Sequence, residues 1–141
     1  MAVKLKPTSV IKARLGIEPN GRVQKFFTNT CAKHMDKYVP MREGTLAETV
    51  VIDGEPTRNV TADTITYTQN YARYVYNGIS KSGKPLNYST DKHHLATHHW
   101  DKVMVSAEMP VVVKEVQEYI GGRKWIAKTL ELIIWENICV K

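Results

Sequence analysis

Thr64-Ile65-Thr66-Tyr67-Thr68-Gln69-Asn70-Tyr71-Ala72-Arg73-Tyr74-Val75-Tyr76-Asn77-Gly78 carries two backbone periodicities side by side. Residues 64–68 alternate and are dense in β-formers, the pattern of a strand with one buried face. Tyr71-Ala72-x3-Tyr76-Asn77-Gly78 reads as a short helix or turn that its Asn-Gly pair closes. A strand therefore runs almost directly into a helical turn. Small, aromatic and glycine residues at these positions build turns and packing contacts. They supply no nucleophile, no acid/base pair and no cofactor cradle.

Upstream, residues 21–39 hold the clearest helical signal, with Asn20 as the expected N-cap. Val23, Phe26, Phe27, Thr30, His34 and Tyr38 recur at three- and four-residue steps and form one stripe. Pro40 follows, where a helix commonly stops. Residues 1–20 read as a lead-in, with a short helical stretch at 9–15 that Gly16 and Pro19 interrupt. After Pro40, Glu43-Gly44-Thr45 is a turn, and the β-branched end of residues 46–52 favours a strand. The expected partner of that strand is residues 64–68, in an antiparallel hairpin punctuated by Asp53-Gly54-Glu55-Pro56.

Downstream, residues 79–96 are a polar loop bearing glycine and proline, long enough to be functional or mobile. Thr97 is the expected cap of a helix on which Trp100, Val103, Met104 and Ala107 share a face. Pro110 suits the first turn of a further helix, with Val112, Val113, Val116 and Ile120 as its stripe and Gly121-Gly122 as its stop. Residues 123–141 form the most apolar segment, including Trp125, Ile126, Leu130, Ile133, Ile134 and Trp135. Lys124, Lys128 and Glu131 at helical spacing favour a helix there, with a strand as the rival. Such a segment either finishes its own core or buries itself in a neighbour.

A length of 141 residues accommodates one domain with a real core. At 43% hydrophobic and 24% charged the composition is ordinary, and no apolar run is long enough to span a bilayer. Residues 1–12 lack the apolar stretch and cleavage site of a secretory signal. Cys31 and Cys139 match no metal or redox spacing and read as reduced core thiols. The net charge of +6 is uneven: residues 1–42 carry nine Lys and Arg, Lys12, Arg22 and Lys25 among them, against only Glu18 and Asp36. A basic third of this kind attracts nucleic acid or an acidic protein surface. A solvated helix face is the plainer reading, since no basic residues run consecutively and no aromatics interleave as a base-stacking platform needs.

Catalytic chemistry finds little support. His93-His94-x3-His98-His99 would place His94 and His98 one helical turn apart, with Asp91 or Asp101 as a third metal ligand. No Glu follows the first His as in a zinc hydrolase helix, and the segment begins in a polar loop. There is no Gly-x-Ser-x-Gly elbow and no glycine-rich loop leading into Lys-Ser/Thr. No enzyme activity, metal or cofactor is expected. Tyr71, Arg73, Tyr74 and Tyr76 place four large side chains in six residues, too many for one small core. Tyrosine and arginine are enriched where protein surfaces meet, so at least one is a candidate interface residue.

In order, the landmarks are Tyr38-Val39-Pro40, Arg42-Glu43-Gly44-Thr45-Leu46, Thr66-Tyr67, the 70–78 element and, beyond a loop, His99-Trp100. With that order, residues 23–120 resemble the minor capsid or tail-completion (neck) family of long-tailed bacteriophages and prophages. The most specific part is Tyr-Ala-x-x-x-Tyr-x-Gly followed at a distance by Trp. Glu43-Gly44-Thr45 inverts the family's more usual Thr-Gly order. The matching motif positions are Pro40, Gly44, Leu46, Tyr71, Ala72, Tyr76, Gly78 and Trp100.

The resemblance implies an α+β subunit in which a long N-terminal helix packs on a short antiparallel sheet, with helices after a central loop. It divides the chain into a lead-in (1–20), a neck-like domain (21–122) and an apolar extension (123–141). It further implies a noncatalytic homo-oligomer, a ring that is often sixfold, at the virion neck. That ring would assemble in the bacterial host cytoplasm and adjoin connector or stopper and tail-terminator or tail-tube proteins. The 79–96 loop and both termini would be free to reach neighbours, and Arg73, Tyr74, Trp125 and Trp135 are the expected interface residues. Lys12, Arg22 and Lys25 would face DNA in the lumen or an acidic connector ring. A minor capsid or tail-terminator subunit at an adjacent level is the first rival. A small basic nucleic-acid-binding module is a rival of another class.

Overall fold

Helix α1 (Arg22–Met35) forms where the stripe of Val23, Phe27 and Cys31 recurs, and these three side chains are fully or almost fully buried. The computed structural model describes residues 9, 12–13, 16–41, 51–52 and 55–121. Gly44, Leu46, Trp125 and Trp135 lie outside the described residues, as do Cys139 and the extension at 123–141. The N-cap of α1 is Gly21 rather than Asn20. Asn20 sits one residue earlier, in the left-handed region (φ 62°), and its N–H donates to Gln24 Oε1 at 2.7 Å. Gly21 is required by close approach: a Cβ there would stand 2.5 Å from the Gly16 carbonyl oxygen. Beyond Met35 the α-helix tightens into a 3-10 turn, Asp36–Tyr38, and the chain extends at Val39 before Pro40.

The strands pair more locally than their β propensity suggested. β1 (Val51–Ile52) turns back onto β2 (Glu55–Pro56), and β3 (Arg58–Val60) pairs with β4 (Ile65–Tyr67). The expected hairpin between 46–52 and 64–68 is therefore corrected. Ile52 pairs with Glu55 and Val51 with Pro56, and the register of β4 is Arg58↔Tyr67, Asn59↔Thr66 and Val60↔Ile65. With β1 already paired to β2, β4 takes the strand nearest to it in sequence, β3. Ile65 and Tyr67 point into the core and Thr66 away from it.

Short helix α2 (Ala72–Asn77) follows and ends on Gly78, in the left-handed conformation (φ 72°) that glycine adopts without cost. α3 (Trp100–Tyr119) is one continuous helix of 20 residues, not two. Pro110 lies in its interior and is exposed, so only one amide donor is lost. Met104, Met109, Val112 and Val116 stay buried on both sides of it and hold the helix together. Two further expectations are corrected: the N-cap is His99, in the left-handed region, rather than Thr97, and Ala107 is exposed rather than on the buried face.

α1 and α3 run in opposite directions. Phe26 near the start of α1 stacks on Tyr119 at the end of α3, with ring centroids 4.0 Å apart and planes 5° from parallel. His34, near the end of α1, meets Glu108 and Glu115. The long helix does touch the β3–β4 hairpin, where the buried Thr28 hydroxyl donates to the Ala62 carbonyl at 2.8 Å. Its larger partner is α3. The result is an α+β fold with one core, lined by α1, α3, β4 and the inner side of α2.

Candidate assembly surface

Trp100 is fully buried and anchors the site. Tyr67 from β4 meets its ring edge-on at 5.3 Å between centroids, and Tyr76 from α2 meets it at 5.0 Å and 88°. The Tyr76 hydroxyl donates to Asp101 Oδ1 at 2.9 Å, and the Tyr76 carbonyl accepts from the His99 N–H at 2.9 Å. Thus Tyr76 and Trp100, widely separated in sequence, form one contact that joins β4, α2 and α3. Ala72 is buried on the same inner side of α2. Gly78 also lies close to its neighbours, since a Cβ on it would come within 3.2 Å of His98 Cβ. Trp100 Nε1 and Arg58 Nε face the Tyr67 hydroxyl without a well-formed hydrogen bond, and burial pushes that hydroxyl up to about 12.

With its inner side held, α2 turns Arg73 and Tyr74 outward, and Tyr71 at its start is exposed too; the two tyrosines are 36% and 41% accessible. Tyr71, Tyr74, Val75 and Leu86 line an open groove of about 530 Å³, bordered by Asn70, Ser80 and Lys81. The floor is fixed by the loop itself. Ile79 bridges to Pro85, the Ser80 N–H donates to the Lys84 carbonyl at 2.7 Å, and Leu86 N–H donates to the Gly78 carbonyl at 2.8 Å. The Tyr88 hydroxyl donates to the Val75 carbonyl, and the Thr97 N–H to the Tyr38 carbonyl at 3.0 Å. The 79–96 loop is consequently strapped down at several points, with its tip at 81–85 exposed.

The four clustered histidines do not share a helix, because α3 begins only at Trp100. His93 Nδ1 lies 2.8 Å from the Val39 carbonyl oxygen, His98 and His99 meet through Nδ1 atoms 2.8 Å apart, and His94 is exposed. Among the described residues, no three His, Cys, Asp or Glu side chains group to hold a metal ion. Cys31 is a free thiol in the core, pushed up to about 12 by burial.

The basic third of the chain divides in space. Lys12, Arg22 and Lys25 are exposed, Arg22 lying over the Tyr119 ring at 5.8 Å from its centroid. Lys33, His34 and Lys37 instead face α3. His34 places Nδ1 2.6 Å from Glu108 Oε2 and Nε2 2.8 Å from Glu115 Oε1. Lys37 and the Tyr38 hydroxyl converge on Glu108, and Lys33 Nζ lies 3.7 Å from Glu115. Burial pushes the Glu108 carboxyl up, but hydrogen bonds from Lys37, Tyr38 and His34 and the Lys37 charge outweigh it and hold the group at about 2. Glu115 is lowered as well, chiefly by its hydrogen bond from His34. The Glu108 hydrogen bond, with burial and the Glu108 charge, pushes Tyr38 to about 12. Sequence reading placed His34 on the apolar stripe and missed this network. The available signal was the seven-residue spacing of Glu108 and Glu115, which sets both on one helical face.

Motif and geometry converge on one element. The Tyr-Ala-x3-Tyr-x-Gly run and the distant Trp are a single packing unit, and an exposed Tyr/Arg face is mounted on it. Among the described residues, no helix is long and apolar enough to cross a membrane. No curated protein and no solved structure matches the chain. Residues 7–120 match the profile of the minor capsid protein family. That match takes in the whole packing unit together with α1, both hairpins and α3, and so the chain belongs to the minor capsid protein family of bacteriophages, structural proteins of the virion.

Proposed function

We propose that this protein is a noncatalytic subunit of the head–tail neck of a tailed phage or prophage particle, forming a ring that joins the connector to the tail. The observation that carries this reading is the division of α2 between a core side locked by Trp100 and an outward side of Arg73 and Tyr74, with Tyr71 beside them. Rigidly mounted tyrosine and arginine side chains lose little freedom on contact and fit a subunit interface repeated around a ring. The work of such a subunit is assembly rather than turnover. The exposed Lys12, Arg22 and Lys25 suit nonspecific contact with DNA phosphates in the lumen, or docking on an acidic connector.

The test is the mass of the purified protein by light scattering, alone and with proteins encoded beside it. A ring, or a monomer that enters one with a connector partner, is the expected result. A monomer that ignores those partners and binds DNA in a steeply salt-sensitive way would replace the neck reading with the nucleic-acid module.

A further inference from the structure

We infer that the groove of Tyr71, Tyr74, Val75 and Leu86 receives the apolar C-terminal segment of a second copy of this chain. The inference rests on the ring reading and names the contact that would close it. Three observations point to this occupant.

The first is position. α2 packs on the first turn of α3, through the Tyr76–Asp101 hydrogen bond and the His99 N–H to the Tyr76 carbonyl. The groove therefore lies beside the N-terminal end of α3, while the chain leaves its other end at Gly121. A helix of 20 residues at about 1.5 Å each separates the two by about 30 Å. The groove and Gly121 thus sit at opposite ends of α3, the arrangement that a head-to-tail contact propagating around a ring requires.

The second observation is composition. Residues 129–140 contain Leu130, Leu132, Ile133, Ile134, Trp135, Ile138 and Val140, and twenty residues follow Gly121, enough chain to reach across a subunit boundary. The third is charge. Within 129–140 the charged side chains are Glu131 and Glu136, whereas Lys81 borders the groove and Arg73 lies on the same exposed stretch of α2. The segment is bounded by Lys128 and Lys141, but the carboxylates interleaved with its apolar anchors match the cations beside a groove of aromatic and aliphatic side chains.

To test this, two full-length chains are produced together, one with a photoreactive phenylalanine derivative replacing Tyr74 and the other bearing an affinity tag. Illumination is followed by peptide mapping and by light scattering of the same sample. Crosslinks from position 74 to residues 129–140 of the tagged chain are expected. Lys81→Glu should reduce them, and adding Glu131→Lys should restore them. Crosslinks confined to the segment of the same chain overturn the inference in favour of a tail that folds back on its own subunit. A ring whose crosslinks fall elsewhere on the tagged chain, or nowhere, overturns the inference and leaves the ring reading standing. A protein that stays monomeric even with connector partners overturns both.

Discussion

At the scale of single residues, Trp100 bears the most structural responsibility, because three elements converge on its ring. It is fully buried between Tyr67 and Tyr76, so Trp100→Ala would empty the largest fully buried side-chain volume in the core. The expected loss is about 3–5 kcal/mol, measured by urea unfolding followed with circular dichroism. Gly21 acts by the opposite route, since it works by having no side chain. Gly21→Ala sets a methyl group against the Gly16 and Glu18 carbonyl oxygens, and about 1–3 kcal/mol of destabilisation is expected from the same measurement. The importance of Trp100 could be read from its type and from its place after the Tyr-Ala-x3-Tyr-x-Gly run. The importance of Gly21 could not, because the carbonyls that crowd it come from a loop whose path no local pattern specifies.

At the scale of elements, α1 and α3 are joined by an apolar seam and by the polar network around His34. His34 sets one ring nitrogen against each of Glu108 and Glu115, so a single side chain of α1 meets two turns of α3. Glu108, held at about 2 against an ordinary 4.5, binds its proton more readily in the unfolded chain. Its stabilising contribution is therefore complete above about pH 4.5 and is lost as pH falls towards 2. Glu108→Gln should lower the midpoint of urea unfolding at pH 7 and flatten its decline across that acid window. Pro110 offers a complementary test. It is exposed inside α3 and leaves the Ser106 carbonyl without its helical donor, so Pro110→Ala should raise the thermal midpoint. An unchanged or lowered midpoint would mean that the proline ring is itself part of the packing. The continuity of α3 escaped sequence reading for the same reason: proline marks a boundary locally, and the buried Met104, Met109, Val112 and Val116 override it.

At the scale of the whole molecule, the charge asymmetry along the sequence is partly cancelled by folding. Among the described residues of 1–42, Lys33, His34 and Lys37 meet carboxylates of α3, whereas Lys12, Arg22 and Lys25 are exposed to outside partners. If the tyrosine groove carries assembly, oligomer mass should fall only slightly as salt rises, because salt screens the Lys81–Glu131 pairing but not apolar burial. DNA retention, if the three exposed cations carry it, should fall steeply over the same range and fall further in a Lys12→Ala/Arg22→Ala/Lys25→Ala variant. Light scattering and filter binding across one salt series separate the two contacts.

The amino-acid sequence by itself determined the helix at 22–35, the strand at 65–67, the glycine-closed turn at 72–78 and the family. Each of these rests on short-range periodicity or on the order of a few unusual residues. Only the tertiary structure decided the partner of β4, the unbroken course of α3, the strapping of the 79–96 loop and the pairing of His34 with Glu108 and Glu115. The reason is physical. Backbone geometry repeats every two or 3.6 residues and leaves its mark locally. Which strand pairs, which proline is tolerated and which charge is neutralised depend instead on what burial brings together from distant parts of the chain.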